Sequence, residues 1–218
     1  MTKLNGNALK RIKESEIVIA EESNITIYNY PLFGPNDYQM IMQQIGAGRL
    51  LRPTSGQLIS LLDVVLQNED DSWCQNIIDK FKNEYLWTCT EHITLPNEGI
   101  IIYDNINGMN PDTDLRKRCV TDNNFRFVPF GFKTEYQGLD DYLNNPYVIK
   151  HFGENHMGAV ERVARRLKSN PYVSALLESQ TPERRFCALL QDKKTLGLAL
   201  HGKGSGTGKE GYSLGIKE

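Results

Sequence analysis

Glu91, His92 and Asp104 are the residues whose types best suit acid–base chemistry. WTCTEHITL (87–95) alternates as a strand, with Trp87, Cys89, Glu91, Ile93 and Leu95 on one face. Thr88, Thr90, His92 and Thr94 take the other. Burial between Cys89 and Ile93 disfavours a charged carboxylate, which is how proteins make general acids. Asp104 ends the next apolar run, GIIIYD (99–104), and supplies a second carboxylate. A hydrolase using these three requires them to converge in one cleft. The competing reading is a bulge, or a Glu91 that faces solvent.

HGKGSGTGKEG (201–211) raises phosphate binding. A P-loop needs G-x-x-x-x-G-K-[ST]; here Lys203 holds the first position and Glu210 follows Lys209. Gly206 to Gly211 match G-x-G-x-x-G, but the dinucleotide fold also needs a following helix and a later acid. The stretch therefore reads as the tip of a β-hairpin between TLGLALH (195–201) and GYSLGIK (211–217). Lys203, Lys209 and free backbone N–H groups could still form an anion nest there.

Metal patterns fail on spacing. His151 and His156 are five apart rather than four, and Asn155 follows Glu154 where an H-x-x-E-H motif needs histidine. YDNINGMNPDTD (103–114) puts Tyr103 where a calcium loop needs an acid. Cys74, Cys89, Cys119 and Cys187 form no CxxC pair and read as reduced thiols of a cytoplasmic protein. None has an evident activating neighbour; Cys89 lies on the strand face opposite His92. No metal site is expected, and no cofactor is implied.

The net charge is −2, yet residues 1–110 carry −6 and residues 111–218 carry +4. In the basic half, Arg162, Arg165 and Arg166 sit on the helical pattern 154–169, opposite the stripe Val160, Val163, Ala164, Leu167. Such cations can track phosphates, so nucleic acid or a nucleotide phosphate is one partner class. Another protein is the other.

Elements must position these residues. The period of 3.6 predicts helices over 37–46, 52–68 and 70–86, then over 140–152, 154–169 and 171–179. Thr54 or Ser55, and Asp70 with Asp71, supply helix starts. Strands are expected over 17–30, 87–95, 99–104, 125–134, 185–191, 195–201 and 211–217, with PLFGPND (31–37) as a break. Pro129 moves its strand to a sheet edge. The fold class is α+β: a mainly antiparallel sheet with helices grouped at 37–86 and 140–179 packed against it. The 218 residues suit one domain, or two lobes split near 135–145. No apolar run approaches the length of a membrane span, and no leader peptide is apparent. Because each catalytic motif lacks a required position, the leading expectation is a non-enzymatic binding protein. A phosphate binder and a hydrolase are the alternatives.

Overall fold

The computed structural model describes residues 8–13, 16–20, 25–106, 119, 121–122, 124–175, 177–205 and 208–217. Antiparallel strands β1 (Ala8–Lys13), β2 (Glu16–Ala20) and β3 (Ile25–Asn36) open the chain. Three helices follow: α1 (Tyr38–Ala47), α2 (Ser55–Gln67) and α3 (Ser72–Asn83). Asp37 caps α1 and Asp71 caps α3. Thr54 and Gln57 close a reciprocal capping box on α2.

Next come β4 (Tyr85–Leu95), β5 (Gly99–Asp104), β6 (Phe125–Pro129) and the two-residue β7 (Glu135–Tyr136). Short helix α4 (Leu139–Leu143) precedes Pro146, which opens α5 (Pro146–Phe152), and α6 (Met157–Leu167) follows a 3-10 turn. Strands β8 (Tyr172–Ala175), β9 (Glu183–Gln191), β10 (Leu198–Gly204) and β11 (Gly211–Lys217) end the chain.

The strands form one mixed sheet in the order β1-β2-β3-β11-β4-β9-β10-β8-β7, with β5 and then β6 attached to β4. Most pairs are antiparallel; β8–β10 and β4–β11 are parallel. The fold is α+β. β6 pairs only with β5 among the described strands, which accommodates Pro129.

Leu58, Leu61, Leu62 and Val65 of α2 are fully buried. At about 1.5–3 kcal/mol each, their burial outweighs any difference in helix propensity. They share a hydrophobic cluster with Phe81 of α3, Val148 of α5, Val160 of α6, and Leu86, Ile102, Leu189 and Leu214 of the sheet. The cluster therefore draws on both sides of residues 135–145. A second cluster joins Tyr38, Ile41 and Ile45 of α1 to Trp87, Cys89, Phe186 and Ala188. Among the described residues no helix is long and apolar enough to cross a membrane.

Three expectations are corrected. Residues 171–175 and 177–179 are not helical: 172–175 form β8, because Val173 and Ala175 fill a buried slot beside β10. β3 runs through Pro31 and Pro35 to Asn36, its pairing with β11 shifting register on the way. The glycine-rich stretch is not a hairpin tip. Among the described residues β10 pairs with β9 and β8, whereas β11 pairs with β3 and β4, so β10 and β11 are not hairpin partners.

Candidate functional site

The sheet is irregular around one residue, Cys187 of β9. On one side Trp87 pairs with Ala188 and Glu91 with Phe186, so Thr88, Cys89 and Thr90 stand opposite Cys187 alone. On the other side His201 pairs with Ala188 and Gly204 with Phe186, so Gly202 and Lys203 also stand opposite it. Bulges of this kind re-aim side chains and are common beside functional sites.

The space so made is filled from the helical side. Ser55 enters at the start of α2, and its backbone N–H donates to Thr90 Oγ1 at 2.9 Å. Tyr147 and His151 enter from α5, four residues apart and hence on one face. His92 Nε2 lies 3.0 Å from His151 Nδ1 and 3.1 Å from Cys187 Sγ. His151 Nε2 lies 2.7 Å from Ser55 Oγ, which donates to Thr88 Oγ1 at 3.0 Å. Tyr147 Oη stands beside the His92 ring, 3.1 Å from Nδ1, with its own ring stacked on Phe132.

All of these groups are buried. His92 and His151 are 1% exposed, and Ser55, Thr88 and Cys187 are 0% exposed. Desolvation pushes the His92 pKa down to about 3, and lowers His151 well below its ordinary value. It drives the Cys187 thiol well up. Cys187 thus has the histidine neighbour that sequence spacing did not reveal, but not the exposure or low pKa of a nucleophile. The donor atoms of His92, His151 and Cys187 all lie within 4.8 Å of one another, close enough to hold one metal ion.

Gly202 is part of this construction. A Cβ there would lie 2.5 Å from both His92 Cε1 and Tyr147 Oη. Gly202→Ala is expected to cost about 1–3 kcal/mol through overpacking, read as a lower urea midpoint. An unchanged midpoint would mean that the two rings can yield.

Glu91, His92 and Asp104 do not converge. Glu91 pairs with Tyr103 across β5, and His92 with Ile102, so the sheet separates the two side chains. Glu91, 1% exposed, accepts from Tyr38 Oη at 2.7 Å, Asn105 Nδ2 at 2.9 Å, Arg184 Nε at 2.5 Å and Tyr103 Oη. Asp104 shares the His92 side, where it accepts from Thr90 Oγ1 at 2.6 Å and pairs with Arg126 at 2.8 Å.

The remaining sequence candidates scatter. Arg162 pairs with Asp63, Arg165 with Glu161 and Arg166 with Glu69. The Lys203 side chain lies outside what is described. Lys209 is exposed and lines a cavity of about 480 Å³ with Lys193, His201 and Glu210. His156 turns to Ser60 at 3.0 Å, away from His151. His201 packs edge-on to Tyr85.

A larger cavity, about 890 Å³, opens outside the Asp104–Arg126 pair. Thr54, Asp104, Arg126, Lys150, Glu154 and His156 line it, with Phe125, Phe127 and Phe152 as apolar wall.

No family model, curated protein or solved structure matches the chain.

Proposed function

We propose that the chain is a non-enzymatic binding protein that takes a small anion, a carboxylate or phosphate, in the cavity beside Arg126. The carrying observation is the guanidinium itself. Asp104 engages one edge, while the buried Nε–H finds no acceptor among the described residues. A ligand oxygen would meet the part of this side chain that stays exposed, 19%, in the cavity lining. Lys150 adds a second cation to the lining.

Turnover is less well supported than binding. Glu91 has four donors and lies across the sheet from His92, while His92 itself is sealed from solvent. Nucleic-acid binding through the basic helix is also less supported, since Arg162, Arg165 and Arg166 each face an acid. The four cysteines are all free, which favours a reducing, cytoplasmic setting.

Calorimetric titration with inorganic phosphate, acetate and succinate tests the reading. Saturable binding that weakens with salt is expected, reduced about tenfold or more in Arg126→Met. Failure of all three anions to bind, or equal affinity in the variant, would remove this function.

A further inference from the structure

The cluster at Cys187 lines no part of the Arg126 cavity, although the Arg126 charge acts on both of its histidines, and it poses a problem of proton placement. Ser55 Oγ donates to Thr88 Oγ1, and Thr88 Oγ1 donates to the Cys187 carbonyl at 3.2 Å. With its hydrogen committed, Ser55 Oγ can only accept from His151 Nε2, which must carry the proton. The His151 lone pair is then on Nδ1. His92 hydrogen-bonds the Gly202 backbone, and its Nδ1 edge lies against that residue. A ring that donates to that backbone through Nδ1 keeps its lone pair on Nε2.

Two lone pairs therefore face each other across 3.0 Å, with the Cys187 sulfur 3.1 Å from one of them. The thiol and the Tyr147 hydroxyl, 3.2 Å away, both approach His92 Nε2, while His151 Nδ1 meets no donor but that ring among the described residues. A second proton on either ring would be an uncompensated charge in a site 1% exposed, which burial opposes. A metal ion would satisfy both nitrogens and the sulfur at once.

We propose that His92 Nε2, His151 Nδ1 and Cys187 Sγ form a zinc-binding site. Two imidazoles and a thiolate suit zinc, whereas magnesium and calcium take oxygen ligands. Zinc bonds of about 2.0–2.1 Å to nitrogen and 2.3 Å to sulfur imply donor separations of about 3.3–3.6 Å; the two that involve His92 Nε2 are a few tenths shorter, and His151 Nδ1 and Cys187 Sγ lie within 4.8 Å. Ser55 and Gly202 hold the far nitrogens of the two rings, the usual arrangement around metal-bound histidines. On binding, the Cys187 S–H bond breaks, its proton passes to solvent and an S–Zn bond forms. Three protein donors leave the fourth tetrahedral position to a small ligand.

The test uses the full chain, stripped with a chelator. Zinc titrated against a chromophoric competitor should bind at one ion per chain, with magnesium failing to compete. Cobalt should give tetrahedral bands and a sulfur-to-cobalt absorption. That absorption should vanish in Cys187→Ser and persist in Cys89→Ser, whose thiol faces the α1 side and contacts the Arg52 carbonyl. Zinc affinity in Cys187→Ser should fall at least about tenfold. Folded chain that takes up no zinc, or a sulfur absorption unchanged by Cys187→Ser, would overturn the site. If Cys187→Ser does not fold, loss of the absorption in Cys89→Ser, or the absence of zinc from the wild-type chain, would still do so.

Discussion

Glu91→Ala is expected to lower the unfolding free energy by at least about 3 kcal/mol, which makes Glu91 a structural residue of the first rank. The carboxylate ties α1 through Tyr38, β5 through Tyr103, the following loop through Asn105 and β9 through Arg184. Its removal strands donors where water cannot reach them, at about 1–3 kcal/mol for each that stays unsatisfied. Arg184→Met should cost less, because that side chain is 32% exposed and part of the Arg184 charge is solvated in any case. Urea midpoints of both variants check the ordering. A Glu91→Ala chain within 1 kcal/mol of wild type, by order of magnitude, would mean that the four partners find other acceptors.

The second large effect is a loss of stability in acid. In the metal-free chain His92 titrates at about 3, and His151 well below its ordinary value, both chiefly because burial opposes their charge. Unfolded histidines titrate at about 6.5. Above that pH both states are neutral, and these residues give no pH dependence. As pH falls from about 6.5 toward 3, the unfolded chain takes up protons that the folded chain refuses. Stability then falls by up to about 1.4 kcal/mol per pH unit for each histidine, so about 2.7 kcal/mol per unit for the pair. Urea unfolding at a series of pH values from 7 to 4.5, after chelation, gives the slope (a range set by the ~6.5 reference value). A flat profile between 6.5 and 5 would show that the rings are not held neutral.

Much of the scaffold was legible because it rests on local rules. The alternation of β4 put Glu91 and His92 on opposite faces, and the register of β5 agrees. Thr54 and Asp71 cap the helices they precede. The burial stripe of α6 at Val160, Val163 and Ala164 follows its period. The cluster at Cys187 was not legible, because its spacing exists only after folding. His92 and His151 are 59 residues apart, and Cys187 is 95 from His92. The bulge at Thr88–Thr90 carries no glycine or proline to announce it. The glycine stretch misled for the opposite reason. Gly202 stands where a Cβ would strike His92, and Gly211 where one would lie 2.6 Å from Trp87 Nε1, so both glycines answer to packing rather than to a turn. Residues 171–179 carry a helical pattern too short to outweigh the slot that 172–175 fill beside β10.

The most direct test of the Cys187 centre is X-ray absorption at the zinc edge of the loaded chain. Two imidazole nitrogens at about 2.0–2.1 Å and one sulfur at about 2.3 Å are expected around the ion. A coordination sphere of oxygen and nitrogen alone, with no sulfur, would contradict the assignment of His92, His151 and Cys187.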